Sequence, residues 1–459
     1  MSHDTLADFV TATATKFDIP GVAVGVWMKG REVYACHGVT SVENPVPVDR
    51  DTLFALASVT KTYTASALMC LVAQGRVDLH APVRRYVPEL ALTDERAAAE
   101  ITVLQLLNHT SGLDWSVIVE TGEGDDALAG YVARLADLKL TSPPGTRASY
   151  SQAGYNLAGR IIEKVTDLTY EQAVASLLAE PLGLSHSLFA PLDVMTRRFA
   201  VGHNRGEDGT LSVAQPWRPG GRGNNPGAGL ASSVSDQLRW ARFHLGDGCT
   251  EGGERILPAE LLRSMTEPTV ELRGSSIGDA LGIAWFLRHV DGVRTAGHGG
   301  SSDGQFAELL TVPERDFAIV SLANAGPDGI PFNQAVLRWA LEHYLGVIDQ
   351  DPEPIPYVEA RAAEIAGSYE NDAMTLIIAT DGAGLTLEVG IKPEIRAALQ
   401  TEAPPDYPPA AMGLLAGDGD EYIITEGGLT GQRGFFSRDA TGAIVGVDLA
   451  GRLFPRVRK

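Results

Sequence analysis

Hydrophobic positions along the chain change period several times, and the changes outline a fold. Leu6, Phe9, Val10 and Phe17 recur at the spacing of an amphipathic helix, and Val22, Val24 and Val26 then alternate like a half-buried strand. Lys29-Gly30 predicts a turn into a second strand through Val33 and Tyr34. From Leu56 to Met69 the apolar residues return to helical spacing, with Cys70 on the apolar side. Helical periodicity dominates residues 80–200, punctuated at Pro143-Pro144-Gly145 and Pro191-Leu192. A glycine-rich loop over 219–227 precedes a helix over 236–245. Strand-like runs follow at 281–287, 305–312 and 317–322, and then a helix at 332–345.

The stretch Asp349-Gln350-Asp351-Pro352-Glu353-Pro354-Ile355-Pro356 is acidic and proline-rich, which suits an extended linker. Beyond it, short apolar runs at 376–379, 422–424 and 443–445 alternate with Gly and Asp turns. That spacing predicts a small all-β barrel or sandwich of about 95 residues. The chain therefore divides into residues 1–347, a linker over 348–360 and a β domain over 361–459.

Composition narrows the function classes. A length of 459 residues, 44% hydrophobic and 21% charged, is ordinary for a soluble globular protein. A formal net charge of −21 argues against binding nucleic acid or an anionic membrane through a basic face. The amino terminus lacks a basic start followed by an apolar core, and no run is apolar for long enough to span a bilayer, so the expected compartment is cytoplasmic. Cys36, Cys70 and Cys249 fit neither a disulfide framework nor a zinc site. His and acidic residues do not cluster at ligand spacing, so neither a metal nor an organic cofactor is expected.

Candidate chemistry starts at Ser58-Val59-Thr60-Lys61. One helical turn separates the hydroxyl from the amine, so Lys61 can reach back to Ser58, and free N–H groups at a helix start favour developing negative charge. A neutral lysine there takes the serine proton and makes a nucleophile. The motif is short, and by itself it reads equally as a solvent-facing Ser/Lys pair. Two further segments carry polar groups into reach of a cleft. Tyr150 ends the Pro/Gly turn that precedes a helix, and Gly297-His298-Gly299-Gly300-Ser301 lies before the run at 305–312. Glycines beside a strand let a substrate backbone approach, and a free edge N–H there can serve an oxyanion. The segment Leu107-Asn108-His109-Thr110-Ser111-Gly112-Leu113 reads as a structural turn. Gly274-Ser275-Ser276-Ile277-Gly278 fits Gly-x-Ser-x-Gly but lacks the buried strand before it and the helix after it that a nucleophile elbow needs, so Ser276 is set aside.

Ser58-x-x-Lys61, then Tyr150-Ser151-Gln152, then His298-Gly299-Gly300, in this order and spacing, resemble the serine β-lactamase and penicillin-binding-protein-like family. Within it the match is to the branch of class C β-lactamases, D-aminopeptidases and esterases. The C-terminal region resembles the lipocalin-like appendage of some members. The resemblance implies an α/β fold: an antiparallel sheet with flanking helices and an all-helical lobe, the active cleft between them, plus a lipocalin-like barrel. It implies Ser58 as the acylated nucleophile, Lys61 as the amine that helps deprotonate it, and Tyr150 as the proton relay to the leaving group. Lys61 and Tyr150 both stand as the principal base. His298 belongs to the same catalytic set, and the backbone N–H groups of Ser58 and Ser301 form the oxyanion hole. Gln152, Gly299, Gly300 and Trp217 would line the substrate site, with Arg452 or Arg456 reaching in to bind a substrate carboxylate.

Two positions depart from the family pattern. Gln152 stands where Asn is usual, and His298 where β-lactamases and transpeptidases usually carry Lys, which removes a fixed cation. The substrate implied is a small peptide, ester or amide, or a peptidyl thioester, with a D-configured acyl residue. One reading is an offloading macrocyclase resembling penicillin-binding-protein-type thioesterases, served by a peptidyl carrier protein. The alternatives are a cytosolic D-aminopeptidase or carboxylesterase, and a non-catalytic ligand-binding sensor.

Overall fold

An eight-stranded, wholly antiparallel sheet organises the first part of the computed structural model, which describes residues 5–113, 120–206, 208–215, 217, 220–398, 407–427 and 429–457. Its strands run in the order Arg31–Gly38, Gly21–Met28, Phe317–Ala323, Gln305–Val312, Val293–Ser302, Phe286–Val290, Gly278–Leu281 and Val270–Ser275. Residues 1–4 and Pro219, which take part in the sequence expectations above, lie outside the described residues.

Strand alternation sorts the apolar side chains into two cores. Val22, Val24, Val26, Leu310, Val312 and Ile319 pack with the helices Leu6–Lys16 and Gly329–Ala340 on one face. Ala23, Ala307, Leu309, Ala318, Val320 and Leu322 face the helices Thr60–Ala73 and Val234–Leu245 on the other. The helical lobe continues from that second core, where Leu68, Met69, Leu106, Tyr131, Tyr155 and Ile161 are fully buried together. Cys70 packs there too, and burial raises its thiol to about 12. No helix among the described residues is long and apolar enough to cross a membrane.

Several elements differ from the sequence expectation. The run at 281–287 is two strands, not one: residues 282–285 make a tight turn, closed by the Gly282 N–H donating to the Trp285 carbonyl at 2.8 Å, with Ala284 at φ +69°. The glycine-rich loop is a 3-10 turn, Arg222–Asn224, followed by the short helix Asn225–Ala228. The Gly-His-Gly-Gly segment precedes the strand Gln305–Val312 as expected, and it lies inside a strand of its own, Val293–Ser302. Its small residues conceal the strand period, which is set by pairing with Gln305–Val312.

The C-terminal strands, from Gly367–Glu370 to Arg452–Pro455, follow one another in sequence order, each antiparallel to the next. A bridge between Tyr369 and Arg456, and the Val457 N–H donating to the Ser368 carbonyl at 2.9 Å, join the first strand to the last. The result is a nearly closed barrel, filled by Leu376, Ile378, Leu387, Tyr422, Phe436 and Val447. The linker is strapped down: Asp349 pairs with Arg288 at 3.0 Å, and the Ile355 N–H donates to the Leu414 carbonyl at 2.8 Å.

Candidate active site

Ser58 sits on a single 3-10 turn, Ala57–Val59, between the strand Phe54–Ala55 and the helix Thr60–Ala73. Ala57 takes φ +46°, a left-handed conformation that costs a non-glycine residue about 1 kcal/mol or more and turns the chain sharply into the helix. Lys61, one turn on, is fully buried, and its Nζ lies 3.2 Å from Ser58 Oγ. The amine also donates to the Gln152 side-chain carbonyl at 2.8 Å and to the Gly227 backbone carbonyl at 2.7 Å. A neutral amine has two hydrogens and one lone pair. Two carbonyls take both hydrogens, which leaves the lone pair for the Ser58 hydroxyl. Burial first, and the Arg452 charge second, hold Lys61 well below the usual lysine range.

Tyr150 ends its turn against this pair, with Lys61 Nζ 4.8 Å from the ring centroid. Burial raises its phenol to about 12, while the Ser58 hydroxyl and the Arg452 guanidinium pull it back. Gln152 opens the helix Gln152–Thr166, capped by the Ser151 hydroxyl accepting the Gly154 N–H at 3.0 Å. Its amide nitrogen is committed to Asn156 Oδ1 at 3.3 Å and the Asn224 carbonyl at 3.4 Å. The carbonyl end of this amide therefore serves the lysine while its nitrogen is held by Asn156 and Asn224, so the nitrogen is not left for a substrate carbonyl. The longer side chain is accommodated because residue 227 is glycine.

The third segment flanks the Ser58 turn. The strand Phe286–Val290 pairs with its neighbour only as far as Gly297, so residues 298–302 continue with one edge open. Gly300 lies so close to the turn that a β-carbon there would fall 2.0 Å from the Leu56 carbonyl oxygen. His298 is buried, stacked on Phe286 at 4.3 Å, and its Nδ1 lies 2.7 Å from the Gly299 carbonyl, to which it donates. Burial above all pushes its imidazole down to about 3, so it is neutral at neutral pH. The cation in this region is Arg452 instead, whose guanidinium carbon lies 5.0 Å from the Tyr150 ring centroid.

Two expected residues lie elsewhere. The Trp217 indole donates to the Ala200 carbonyl at 2.9 Å and packs with Leu53, Phe199, Val194 and Ala231 in a separate small cluster. Arg456 donates to the Glu364 and Ala366 carbonyls within the barrel. One site residue escaped the sequence reading. His109, in the segment read as a structural turn, packs on the Tyr150 ring at 4.4 Å and accepts the Ser151 N–H on Nδ1 at 3.0 Å. Accepting on Nδ1 requires a neutral ring, and burial lowers its pKa accordingly. A histidine inside a short polar block before Ser-Gly was the available signal. Gly227 also escaped, because a backbone carbonyl leaves no trace in residue type.

Comparison with known proteins places this arrangement. The family model described as Beta-lactamase matches residues 6–341. Penicillin-binding protein 4 of Amycolatopsis lactamdurans is 34% identical over 369 residues, covering 79% of this chain and 96% of that protein. Among solved structures, SurE, determined alone and with D-Leu, superposes with a TM-score of 0.75 at 24% identity over 99% of both chains. A class C β-lactamase from Rhodobacter sphaeroides covers 73% of this chain and 99% of its own at a TM-score of 0.60 and 23% identity.

Proposed function

The chain belongs to the β-lactamase family, and on that premise we propose that it is a serine acyl-enzyme hydrolase or acyltransferase acting on peptidyl carbonyls. The observation that carries this reading is Lys61: a buried amine that contacts two carbonyl oxygens and lies 3.2 Å from Ser58 Oγ, so that in its neutral form the lone pair is left for the serine. In the forward step Ser58 gives its proton to the Lys61–Tyr150 pair as Oγ bonds to the substrate carbonyl carbon. The backbone N–H groups of Ser58 and Ser301 take the oxyanion. The bond to the leaving group then breaks, and that group departs with the proton relayed by Tyr150. Water or an amine next attacks the ester, and Ser58 recovers its proton.

Gln152 keeps its carbonyl on Lys61, so the departure from Asn preserves the contact the catalyst needs, which favours an enzyme over a non-catalytic sensor. Arg452, supplied by the barrel and lying 5.0 Å from the Tyr150 ring centroid, is the cation we assign to a substrate carboxylate in the absence of a lysine at 298. We assign the substrate as a peptide with a D-configured acyl residue, presented as a thioester on a carrier protein. The D preference and the whole-chain match draw on SurE, which was solved with D-Leu. When the peptide's own amine outcompetes water, the product is a macrocycle. A cytosolic D-aminopeptidase or carboxylesterase uses the same residues with an amine or alcohol leaving group.

The test is turnover of a peptidyl thioester ending in a D-residue beside its L-epimer, with products separated by mass. A cyclic product from the D-epimer supports the cyclase, and a linear acid supports the hydrolase. No release from thioesters, esters or amides would overturn the reading.

A further inference from the structure

Residues 448–453, the hairpin end that joins the last two barrel strands, lie between the Tyr150 turn and the hairpin at residues 275–278. On one side the Tyr150 N–H donates to the Gly451 carbonyl at 2.8 Å, and the Leu453 N–H donates to Ser149 Oγ at 3.3 Å. On the other side the Ser275 hydroxyl donates to Asp448 Oδ1 at 2.9 Å, and the Ser276 N–H donates to the Arg433 carbonyl at 3.1 Å. Gly451, at φ +73°, packs so closely on Ile277 that a β-carbon would fall 2.3 Å from its Cδ1. The Asp448 carboxylate also takes a hydrogen bond from the backbone of Gly451 and faces the Arg452 charge. Asp448 and Ser275 are both buried, so this contact is an interior hydrogen bond rather than a surface pair.

The Gly-x-Ser-x-Gly segment that carried no catalytic role in the sequence thus acquires one of placement. It is the anchor on the main sheet for the loop that touches Tyr150. The backbone amide of Tyr150, its ring face and the Ser149 hydroxyl are all held from the barrel side. The orientation of the phenol depends on where this loop sits.

We propose that Asp448 is a positioning residue: by binding Ser275 and Gly451 it fixes the 448–453 loop and so holds Tyr150 and Arg452 in register with Ser58 and Lys61. The proposal rests on the acyl-transfer reading for its effect on rate, though not for its effect on structure. Asp448 touches no reacting atom. An amide of the same shape keeps an oxygen to accept the Ser275 hydroxyl.

The experiment compares Asp448→Ala, Asp448→Asn and Ser275→Ala in the full chain. Hydrogen exchange is read on peptides containing the Tyr150 amide, and kcat and KM on the thioester. The loop account expects faster Tyr150 exchange in Asp448→Ala, with kcat down about tenfold to a hundredfold and KM changed less, because a small misplacement of a proton-transfer group acts on the chemical step. Asp448→Asn keeps the accepting carbonyl and restores both readouts. Ser275→Ala, on the far strand, reproduces part of the loss without touching the barrel. Wild-type exchange and kcat in Asp448→Ala, or an Asn variant as impaired as Ala, overturn the proposal. If the wild type turns over no substrate, the acyl-transfer reading fails, while the exchange of the Tyr150 amide still decides whether Asp448 holds the loop.

Discussion

The backbone of Gly227 lies so close to the Gln152 amide that a β-carbon on residue 227 would fall 1.9 Å from Nε2. The two residues hold Lys61 jointly, one through its side-chain carbonyl and the other through its main chain. Gly227→Ala therefore displaces the amide and loosens the amine. The expected result is a fall of about tenfold or more in kcat/KM by steady-state kinetics. Adding Gln152→Asn, one methylene shorter, recovers part of the loss. A Gly227→Ala variant at wild-type rate contradicts the shared hold.

Burial of Lys61 sets most of the acid limb of the pH profile, and the Arg452 charge moves it further down. Only neutral Lys61 accepts the Ser58 proton, so activity falls as pH drops through the lysine pKa. Arg452 lowers that pKa by repulsion. Arg452→Ala removes the repulsion, the lysine pKa rises and the limb of kcat/KM moves to higher pH, while Arg452→Lys leaves it near its original place. A limb that stays put in the Ala variant counts against this electrostatic role. Unchanged kinetics on every substrate also remove the carboxylate-binding role.

His298 stays neutral throughout the physiological range, since burial holds it down to about 3. Its imidazole nitrogen NMR signals are expected not to titrate between about pH 5 and pH 8. A titration in that window would mean that a cation can form at this position after all.

Gly300 admits no side chain, because the obstruction is the Leu56 carbonyl rather than a movable group. Gly300→Ala is expected to destabilise the fold by about 1–3 kcal/mol in denaturant unfolding and to slow acylation of Ser58. An Ala variant with wild-type stability and rate would show that the strand and the Ser58 turn are not in the contact described.

Periodicity made much of the scaffold legible. Val22, Val24 and Val26 alternate because one sheet face meets the helix Leu6–Lys16, and Lys29-Gly30 turns because both residues take positive φ, +47° and +85°. The spacing of the C-terminal strands left barrel and sandwich both open, and the family resemblance pointed to the barrel. Closure itself rests on the Tyr369–Arg456 bridge and the Val457–Ser368 hydrogen bond, which no local pattern encodes. At the site, Ser58, Lys61, Tyr150 and His298 were marked by motif. Gly227 and His109 act through a carbonyl and a ring face, which no motif marks, and Trp217, expected to line the substrate site, packs elsewhere. Tertiary packing decides such placements: Trp217 found the apolar cluster at Leu53 and Val194, and Arg452 was brought to Tyr150 by the loop that Asp448 anchors.

The central claim is that Ser58 forms the acyl-enzyme and that neutral Lys61 activates it. Intact-protein mass after brief exposure to a peptidyl thioester ending in a D-residue tests it most directly, with Ser58→Ala and Lys61→Met alongside. The account predicts one acyl adduct on the wild type, none on Ser58→Ala, and an adduct on Lys61→Met that forms at least about a hundredfold more slowly. An adduct that persists in Ser58→Ala, or forms at the wild-type rate without Lys61, would contradict it.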